Sequence, residues 1–350
     1  MMMKILVLRT GRILKPPTGG GQKVAWEIAR RLTKRYEVHF IYTYGNKYRE
    51  EKINGVYTYN LPTSGNETIY HWLHRKKLID LVSRINPDLI HEHAPSILMY
   101  LVRKFPAKKV VTFHSIRDPK NLFEKVRGLI KDRTILQPVL KSADAVTTVS
   151  SWHVQYCRET YRIEPAVIPN GVDINAFRPL KNVKSEDDVI LFVGNLIKRK
   201  GVDKLIEVAK LLPQYKFWFV GIGPLESMIN GKNVKKFGFV SEKEKVLLYN
   251  KAKICVFPSE WELFPLVGIE AMACGKPVIA TPLGFSEYIE HEKDGIIMEN
   301  NDVKTIKYWI EYLMENEDVR EELGRNARRK ALQYDWDKIV SQYEELYEKL

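Results

Sequence analysis

The chain has 350 residues, of which 45% are hydrophobic and 28% charged, and this length is roughly that of two domains. No apolar run approaches the roughly 18–20 residues of a membrane span, which argues against a transmembrane helix. The three cysteines, Cys157, Cys255 and Cys274, are scattered and odd in number. This pattern argues against a disulfide framework or a zinc cluster and predicts a cytoplasmic protein.

The net charge of +13 is unevenly distributed. Residues 1–180 carry 30 Lys and Arg against 15 Asp and Glu, whereas residues 181–350 carry 26 against 28. A basic half indicates an anionic partner, although a solvated face rich in Lys and Arg would give the same count. No DNA- or RNA-binding motif is present, so we expect no nucleic acid. An anionic membrane surface and an acidic acceptor both stay open.

The first half alternates short apolar runs with helical segments, which predicts a parallel sheet covered on both faces. Its predicted strands are residues 4–8, 38–42, 89–90, 110–113, 146–149 and 166–168. A glycine loop at residues 19–21 follows the first strand, and helical spacing begins at Val24. The loop fits an anion at a helix N-terminus, but a plain connecting loop is an equal alternative.

The alternation restarts near residue 189, after a polar stretch that breaks periodicity. Strands are predicted at residues 189–193, 217–220, 254–257 and 278–280, and helices at 201–211, 265–273 and 336–350. We therefore predict an α/β fold with two doubly wound, Rossmann-like parallel-sheet domains. The first spans residues 1–174 with 336–350, and the second spans residues 175–335.

Ligands of open parallel sheets bind beyond the carboxyl ends of the strands, so the residues there are the first candidates. After Val193 comes GNLIKRKG, in which Gly194 lets the backbone turn and three cations precede a helix. This position favours a phosphate contact over a solvated charge run. The GIGP segment, with Gly221 and Gly223, is a second loop that allows close approach of a ligand.

The stretch PSEWELFPLVGIEAMACGKPVIAT places carboxylates among apolar residues. If a helix begins near Pro265, Glu262 precedes it, Glu270 lies in its early turns, and the amides of Leu266 and Val267 are free. Amides and cations suit a diphosphate, and carboxylates suit vicinal hydroxyls. Together they predict a site for a nucleoside diphosphate sugar.

Histidines mark the strand ends of the first half. His114 directly follows a strand and is a candidate polar contact, although a structural role is equally compatible with it. His91 and His93 in HEH have the spacing of metal ligands. Because no third ligand lies near them in the sequence, we expect no metal.

Several motifs in order resemble those of retaining GT-B glycosyltransferases, in particular glycosyltransferase family 4. They are PPTGGGQKVAWEIARRL, PDLIHEH, TFHS, VIPNGVD, FVGNLIKRKG, FPSEWELFPLVGIEAMACGKPVIATPLGFSEYI and EKDGIIM. The final WDKIVSQYEELYEKL is similar to the helix that crosses back onto the N-terminal domain. The likeness covers nearly the whole chain. It implies two domains that face a cleft, with the acceptor on the first and the donor on the second.

The resemblance also implies roles. His114 would contact the donor sugar, Lys200 would neutralise the leaving diphosphate, and Glu262 would hold sugar hydroxyls. These three form the implied catalytic set, and Glu270 would hold the ribose diol. The implied donor-binding set is Gly19, Gly20, Gly194, Asn195, Arg199, Lys200, Gly221, Gly223, Glu262, Phe264, Leu266, Val267 and Glu270.

No metal or other cofactor is expected, because cations and helix amides stabilise the departing diphosphate in such enzymes. The DWD at Asp335 and Asp337 mimics a metal-binding DxD motif but is expected to cap the last helix.

Three positions depart from the family pattern. Asn195 stands where an arginine is usual, so either Arg199 or Lys198 compensates or the leaving group is held less tightly. Pro265 replaces a glycine, so amide contacts must come from the following residues. Phe285 replaces another glycine and is expected to narrow the sugar pocket.

The resemblance leaves the donor open between a UDP-sugar and a GDP-sugar, and the acceptor open between a lipid-linked sugar, a sugar and a polysaccharide. A nucleotide-sugar epimerase on the same fold and a non-catalytic nucleotide-sugar-binding protein are the alternative functions. The basic, apolar stretch at residues 119–141 suggests peripheral contact with the anionic inner face of a membrane. A soluble acceptor and a merely basic surface would explain that stretch equally.

Overall fold

The computed structural model describes residues 2–11, 19–116, 122–186 and 188–350, without the side chains of residues 123 and 125. The chain divides into two compact units. The first unit comprises Met1–Pro169 and Trp336–Leu350, and the second comprises Asn170–Asp335. Residues 16–18 of the glycine-loop motif and residues 119–121 of the amphipathic stretch lie outside the described residues.

The division falls after Pro169, so residues 170–174 group with the second unit rather than with the first domain that the sequence suggested. Two hydrogen bonds within the second unit explain this. The Asn170 side chain donates to the Phe264 carbonyl at 3.0 Å, and the Val172 N–H donates to the Tyr334 carbonyl at 2.8 Å.

The sheet of the first unit contains eight strands in the part of the chain that the structure describes. They are β1 (Lys4–Thr10), β2 (Glu37–Thr43), β3 (Arg49–Ile53), β4 (Val56–Leu61), β5 (Leu89–His93), β6 (Lys108–Phe113), β7 (Ala145–Thr148) and β8 (Ala166–Val167). Their spatial order is β3–β4–β2–β1–β5–β6–β7–β8, and all neighbours are parallel except β3 with β4.

The antiparallel edge hairpin was not predicted. Its turn is Asn54 and Gly55, with φ of 49° and 85°, which is the residue pair preferred by tight hairpins. The strand REEKI before the turn is largely exposed and charged, so it lacks the apolar run on which the prediction relied.

Helices connect these strands, and the first of them buries one face against the sheet. They are α1 (Gly20–Leu32), α2 (Glu67–Leu73), α3 (Arg75–Ile85), α4 (Ile97–Val102), α5 (Leu122–Lys131), α6 (Gln137–Ser142) and α7 (Trp152–Tyr161), with a π-helical turn at Asp132–Leu136. In α1, Val24, Ile28 and Leu32 are fully buried, which is the spacing of an apolar helical face.

The second unit repeats the pattern with an all-parallel sheet. Its strands are β9 (Val189–Val193), β10 (Lys216–Val220), β11 (Val234–Lys236), β12 (Ile254–Phe257), β13 (Val278–Ala280) and β14 (Ile296–Ile297), in the order β11–β10–β9–β12–β13–β14. Its helices are α8 (Val202–Leu211), α9 (Glu242–Lys251), α10 (Leu266–Ala273), the kinked α11 (Pro282–Phe285), α12 (Val303–Glu315) and α13 (Glu317–Ala331).

The last helix, α14 (Trp336–Glu348), groups with the first unit. Its buried side chains have the predicted spacing and are Trp336, Ile339, Val340, Tyr343 and Tyr347. Charges on α1 and in the turn after it hold α14 as well. Arg31 Nε of α1 lies 3.2 Å from Asp337 Oδ1, and Arg35 Nη1 of the turn lies 3.2 Å from Glu344 Oε2. The second aspartate of the DWD sequence is thus an ion-pair partner of α1.

Candidate functional site

Two glycine loops of the second unit lie side by side where β9 and β10 end. The Gly194 N–H donates to the Val220 carbonyl at 2.9 Å. A Cβ at Gly221, whose φ is +139°, would lie 1.9 Å from the Gly194 carbonyl oxygen, and one at Gly223 would lie 2.5 Å from that of Leu196. Side chains at these two positions would therefore separate the loops.

An ion pair joins the two charged segments that the sequence singled out. Lys200 ends a 3₁₀ turn before α8, and its ammonium donates to the Glu262 carboxylate. Arg199 Nη1 lies 3.8 Å from the same carboxylate and donates to the Trp261 carbonyl at 2.8 Å. The Lys200 and Glu262 side chains are only 16% and 14% exposed, so their attraction is stronger than at a fully wetted surface.

Asn195 is exposed at the end of β9, and its carbonyl accepts a hydrogen bond from the Ile197 N–H at 2.9 Å. Arg199 lies in the next turn, with its guanidinium 4.2 Å over the Trp261 ring. Arg199 is thus a second cation beside Glu262. That Arg199 takes over the role of the arginine usual at position 195 in the family stays a prediction.

Helix α10 presents an uncapped N-terminus. It begins at Leu266, and Pro265 is its extended N-cap rather than its first helical residue, which corrects the expected start by one position. The physical reason is that the Pro265 carbonyl accepts a hydrogen bond from Tyr288 Oη at 2.8 Å. With no side-chain cap and no acidic residue in the first turn, the leading amides, including that of Val267, carry partial positive charge.

Glu270 is buried within α10, with 2% of its surface exposed, and it is paired there. Lys245 Nζ of α9 lies 2.7 Å from Glu270 Oε2, and Tyr249 Oη donates to the same oxygen at 3.3 Å. Burial, together with the charge of Glu270, raises the pKa of Tyr249 well above its usual range, so the hydroxyl stays protonated and donates. The sequence did not point to Lys245, because only the tertiary structure brings α9 beside α10.

The loop that carries Glu262 is fixed by α11. The Glu262 N–H donates to the Leu283 carbonyl at 3.2 Å. Gly284 has a φ of +89°, and a Cβ there would lie 2.4 Å from the Glu262 carbonyl oxygen. Glycine is therefore required at residue 284 for Glu262 to occupy its position.

The expected role of Phe285 in narrowing a sugar pocket is wrong. Its side chain is fully buried, and its ring stacks on Phe257 at a centroid distance of 5.8 Å. The kink in α11 turns the residue into the core of the unit. Phe264 is also buried, with its ring 4.8 Å from that of Tyr288, so it helps to fix the loop that carries Glu262 by packing.

In the first unit, His114 follows β6 and lies next to the start of α1. Gly19 is the extended N-cap of α1 without a side-chain cap, and Gly20 begins the helix. A Cβ at Gly21 would lie 3.4 Å from His114 Cβ. His93 Nδ1 lies 2.8 Å from His114 Nε2, so the candidate histidine has an imidazole partner.

The HEH segment lies inside β5 and is completely buried. His91 Nδ1 lies 2.6 Å from Tyr347 Oη, and His91 Nε2 lies 2.6 Å from Thr112 Oγ1. Burial lowers the pKa of His91 to about 3. Across the described ranges, no group of three or more His, Cys, Asp or Glu is arranged to hold a metal ion.

Comparison with known proteins agrees with this geometry. The family model of "Glycosyl transferases group 1" matches residues 173–330, and that of "Glycosyltransferase Family 4" matches residues 18–176. An uncharacterized glycosyltransferase of Methanocaldococcus jannaschii is 28% identical over 100% of this chain and 99% of its own. The N-acetyl-alpha-D-glucosaminyl L-malate synthase of Bacillus anthracis is 25% identical over 97% and 96%.

The two family models together span most of the chain. The chain belongs to the glycosyltransferases that these two models, group 1 and family 4, describe. It is therefore a transferase enzyme that acts with a nucleotide-sugar donor.

Solved structures establish the fold of this glycosyltransferase as GT-B. Sucrose-phosphate synthase from Thermosynechococcus elongatus has a TM-score of 0.87 at 20% identity, covering 99% of this chain and 98% of that one. Anabaena HepE in complex with UDP and glucose has a TM-score of 0.80 at 19% identity, covering 99% and 100%. Among the described helices of the glycosyltransferase, none is long and apolar enough to cross a membrane.

Proposed function

We propose that this glycosyltransferase transfers a sugar from a nucleoside diphosphate sugar with retention of anomeric configuration, and that its second unit holds the donor. The observation that carries the proposal is the Lys200–Glu262 ion pair, which is largely withdrawn from water in a unit that also holds the free N-terminus of α10 and the buried Glu270. A cation and free amides match a diphosphate, and two carboxylates match two sets of sugar hydroxyls.

Each group has a separate role in this proposal. Lys200 and the amides of Leu266 and Val267 bind the diphosphate and stabilise the charge that grows on it as the sugar leaves. Glu270 accepts hydrogen bonds from the ribose diol. Glu262, oriented by Lys200, accepts hydrogen bonds from hydroxyls of the transferred sugar.

We propose departure and attack on the same face of the sugar. The bond between the anomeric carbon and the diphosphate oxygen breaks, and the acceptor oxygen forms its bond to that carbon from the same side. The acceptor proton passes to the departing diphosphate oxygen, which balances the step without a protein nucleophile. Glu262 is not assigned as a covalent nucleophile, because its carboxylate is paired with Lys200 and its side chain is only 14% exposed. We expect the cation and amides to act without a bound metal.

The donor is proposed to be a UDP-sugar or a GDP-sugar. Support comes from Anabaena HepE, whose structures contain UDP and UDP-glucose. A thermal-shift panel of nucleoside diphosphates and their hexose conjugates tests this, since a donor at 100 times its Kd adds about 2.7 kcal/mol of stability. Absence of any stabilisation by the whole panel would contradict the proposal.

Catalysis is tested with the donor that emerges from that panel. Slow hydrolysis of the donor by the purified protein, with release of the sugar in its original anomeric configuration by NMR, is the expected result. A changed sugar that stays attached to the nucleotide would instead identify an epimerase. Binding with no turnover against any acceptor, and with no hydrolysis, would identify a non-catalytic binding protein.

We propose that the enzyme is cytoplasmic and that its first unit contacts an anionic membrane to reach a lipid-linked acceptor. Support comes from exposed apolar side chains beside basic ones: Ile69, Trp72 and Leu73 on α2, and Leu122, Leu129 and Ile130 on α5. Lys131 at the end of α5 acts on the Glu67 carboxylate at the start of α2, so these two helix ends are near each other.

Vesicle co-sedimentation tests the membrane proposal. Binding should require anionic lipid and should weaken with salt, because exposed charges are screened beyond about 8–10 Å near physiological ionic strength. Leu129→Glu should weaken it further, whereas Leu211→Glu, at an exposed position in the second unit, should not. No sedimentation with anionic vesicles at low salt would favour a soluble sugar or polysaccharide acceptor.

A further inference from the structure

Lys245, in the first turns of α9, is the internal partner of Glu270. Its Nζ lies 2.7 Å from Glu270 Oε2, and both side chains are largely buried. The ammonium also lies 5.1 Å from the centre of the Phe177 ring, within the range of a cation–π contact. The carboxylate and the ring together fix the ammonium at one place beside the helix that carries Glu270.

The stability of the fold does not by itself explain this ion pair. Burial removes both charges from water, and well-packed apolar side chains of similar volume are often as stabilising as a buried pair or more so. Helix α10 has the sequence LVGIEAMA, so Glu270 is the one charged residue in an otherwise uncharged helix. Lys245 lies near the start of α9, where the helix dipole disfavours a cation. These observations point to a use of the charged pair in ligand binding.

The ammonium determines the state in which Glu270 meets a ligand. A carboxyl group that is buried to this degree without a nearby cation tends to keep its proton, because burial penalises the charged form. A cation at hydrogen-bonding distance favours the ionised form, which only accepts hydrogen bonds. Hydrogen bonds to an ionised acceptor are roughly twice as strong as those between neutral groups. Lys245 therefore makes Glu270 a strong acceptor for hydroxyl groups.

Three other titratable groups that act on Glu270 are neutral. Tyr249 Oη donates to the same Oε2 at 3.3 Å, and Tyr288 and Cys274 interact with the carboxylate through space. Burial raises the pKa of both tyrosines well above their usual range and raises that of Cys274 to about 12. Among these groups, Lys245 is thus the one that brings a charge to Glu270 near neutral pH.

We propose that Lys245 is a positioning residue for ribose recognition, which keeps the Glu270 carboxylate charged and in place for the 2′ and 3′ hydroxyls and thereby selects ribonucleotides over 2′-deoxyribonucleotides. The inference rests on the proposed function, in which Glu270 accepts hydrogen bonds from the ribose diol. It adds a determinant of specificity on a different helix. A site with buried polar groups rejects an analogue that lacks a hydroxyl, because those groups are then left unpaired.

Calorimetric titration with two matched nucleotide pairs measures the selectivity. The pairs are UDP with 2′-deoxy-UDP, and GDP with 2′-deoxy-GDP. For the pair that binds, the wild type should favour the ribonucleotide by about tenfold or more, because the deoxy analogue loses a hydrogen bond to a charged group. Lys245→Met should reduce this ratio to about threefold or less, since a neutral carboxyl group forms weaker hydrogen bonds.

Lys251→Met is the matched control. Lys251 ends the same helix, and its Nζ lies 3.5 Å from Glu186 Oε1 rather than beside Glu270. The ratio of ribonucleotide to deoxyribonucleotide affinity should be unchanged in this variant. A fall in the ratio as large as that in Lys245→Met would show that any lost charge on α9 has the same effect, and would overturn the role of Lys245.

A second substitution separates the charge of Lys245 from its hydrogen bond. Lys245→Gln keeps a hydrogen-bond donor without the charge, so it should lower the ratio as Lys245→Met does. A wild-type ratio in Lys245→Gln would overturn the proposal that the charge is required. Both nucleotides of a pair are titrated into the same protein, so partial unfolding of a variant affects both affinities alike and leaves their ratio interpretable.

The outcomes distinguish this inference from the proposed function. If the wild type selects ribonucleotides and Lys245→Met selects them equally well, Lys245 has a structural role and the inference is overturned, while the donor site stands. A higher ratio in Lys245→Met would mean that Lys245 competes with the ribose, and it would overturn the inference in the same way. If the wild type binds neither pair, or binds both members of each pair equally, the ribose assignment of Glu270 fails, and the inference fails with it.

Discussion

The two units treat polar groups at their strand ends in opposite ways. In the second unit, Glu262 and Glu270 each have a lysine partner, at Lys200 and Lys245, so every predicted carboxylate of the donor site is balanced within its own unit. In the first unit, burial keeps the imidazoles of His93 in β5 and His114 after β6 neutral, and Arg9 has no ion pair among the described residues.

The two units therefore stabilise buried polar groups differently, by ion pairs in the second unit and by neutral imidazoles in the first. Ion pairs hold charge in the second unit, and a ligand there must compete with internal partners for each group. Neutral rings in the first unit cost less to bury, but they leave hydrogen-bonding atoms unused. The second unit should therefore respond most to removal of one charge, and the first unit most to pH.

The largest expected effect comes from breaking the Glu270–Lys245 ion pair of the second unit. Glu270→Ala leaves the Lys245 ammonium without its partner, so it should lower the free energy of unfolding by about 3–5 kcal/mol and weaken nucleotide binding. Denaturant unfolding and nucleotide titration measure the two effects.

A double variant separates stability from binding at Glu270. Glu270→Leu with Lys245→Met removes both charges and should recover most of the stability but none of the nucleotide affinity. If the double variant binds nucleotide as the wild type does, Glu270 has only a structural role.

The Lys200–Glu262 pair should matter more to turnover than to stability. Lys200→Ala should lower kcat about 10²–10³-fold, because the charge on the departing diphosphate is greatest in the transition state. Steady-state kinetics at saturating donor measure this, with Lys210→Ala, at an exposed position of α8, as the control. An unchanged kcat would make Lys200 a structural partner of Glu262 only.

The stability of the first unit should depend on pH through Glu92. Burial raises the pKa of Glu92 to about 7, so the folded protein keeps a proton that the unfolded chain releases above about pH 4.5. The stabilising contribution of Glu92 is therefore lost as the pH rises from about 4.5 to 7, at up to about 1.4 kcal/mol per pH unit.

The buried histidines act in the opposite direction, because their lowered pKa values cost stability as the pH falls below about 6.5. Glu92→Gln removes only the carboxylate contribution. Unfolding free energies of both proteins should diverge between pH 5 and 7, with the variant gaining relative to the wild type, and should run parallel above pH 7.5. Parallel curves throughout would contradict the pKa assigned to Glu92.

The smallest effect concerns Phe285. Because its side chain packs on Phe257 in the core, Phe285→Leu should cost about 1 kcal/mol of stability and leave the preference among donor sugars unchanged. Donor competition assays on the variant measure that preference. A shift toward larger sugars would restore the expectation that Phe285 lines the sugar pocket.

The sequence by itself determined the repeated parallel-sheet plan. The short, fully apolar runs of β9, β12 and β13 are typical of buried parallel strands, and their predicted bounds are those of the structure. Helix α14 was likewise evident from its apolar spacing. The motifs around Lys200, Glu262 and Glu270 were sufficient to identify the family, because a nucleotide-sugar site needs those residue types directly after strands.

Only the tertiary structure decided which side chains pair with one another. Lys245 lies on α9, far from Glu270 in sequence, and no local pattern distinguishes it from the other lysines of that helix. The direction of Phe285 depended on a kink in α11, and the pairing of His93 with His114 depended on the register of β5 against β6. Local spacing specifies which residues share an element, whereas the contacts between elements depend on how the sheets and helices pack.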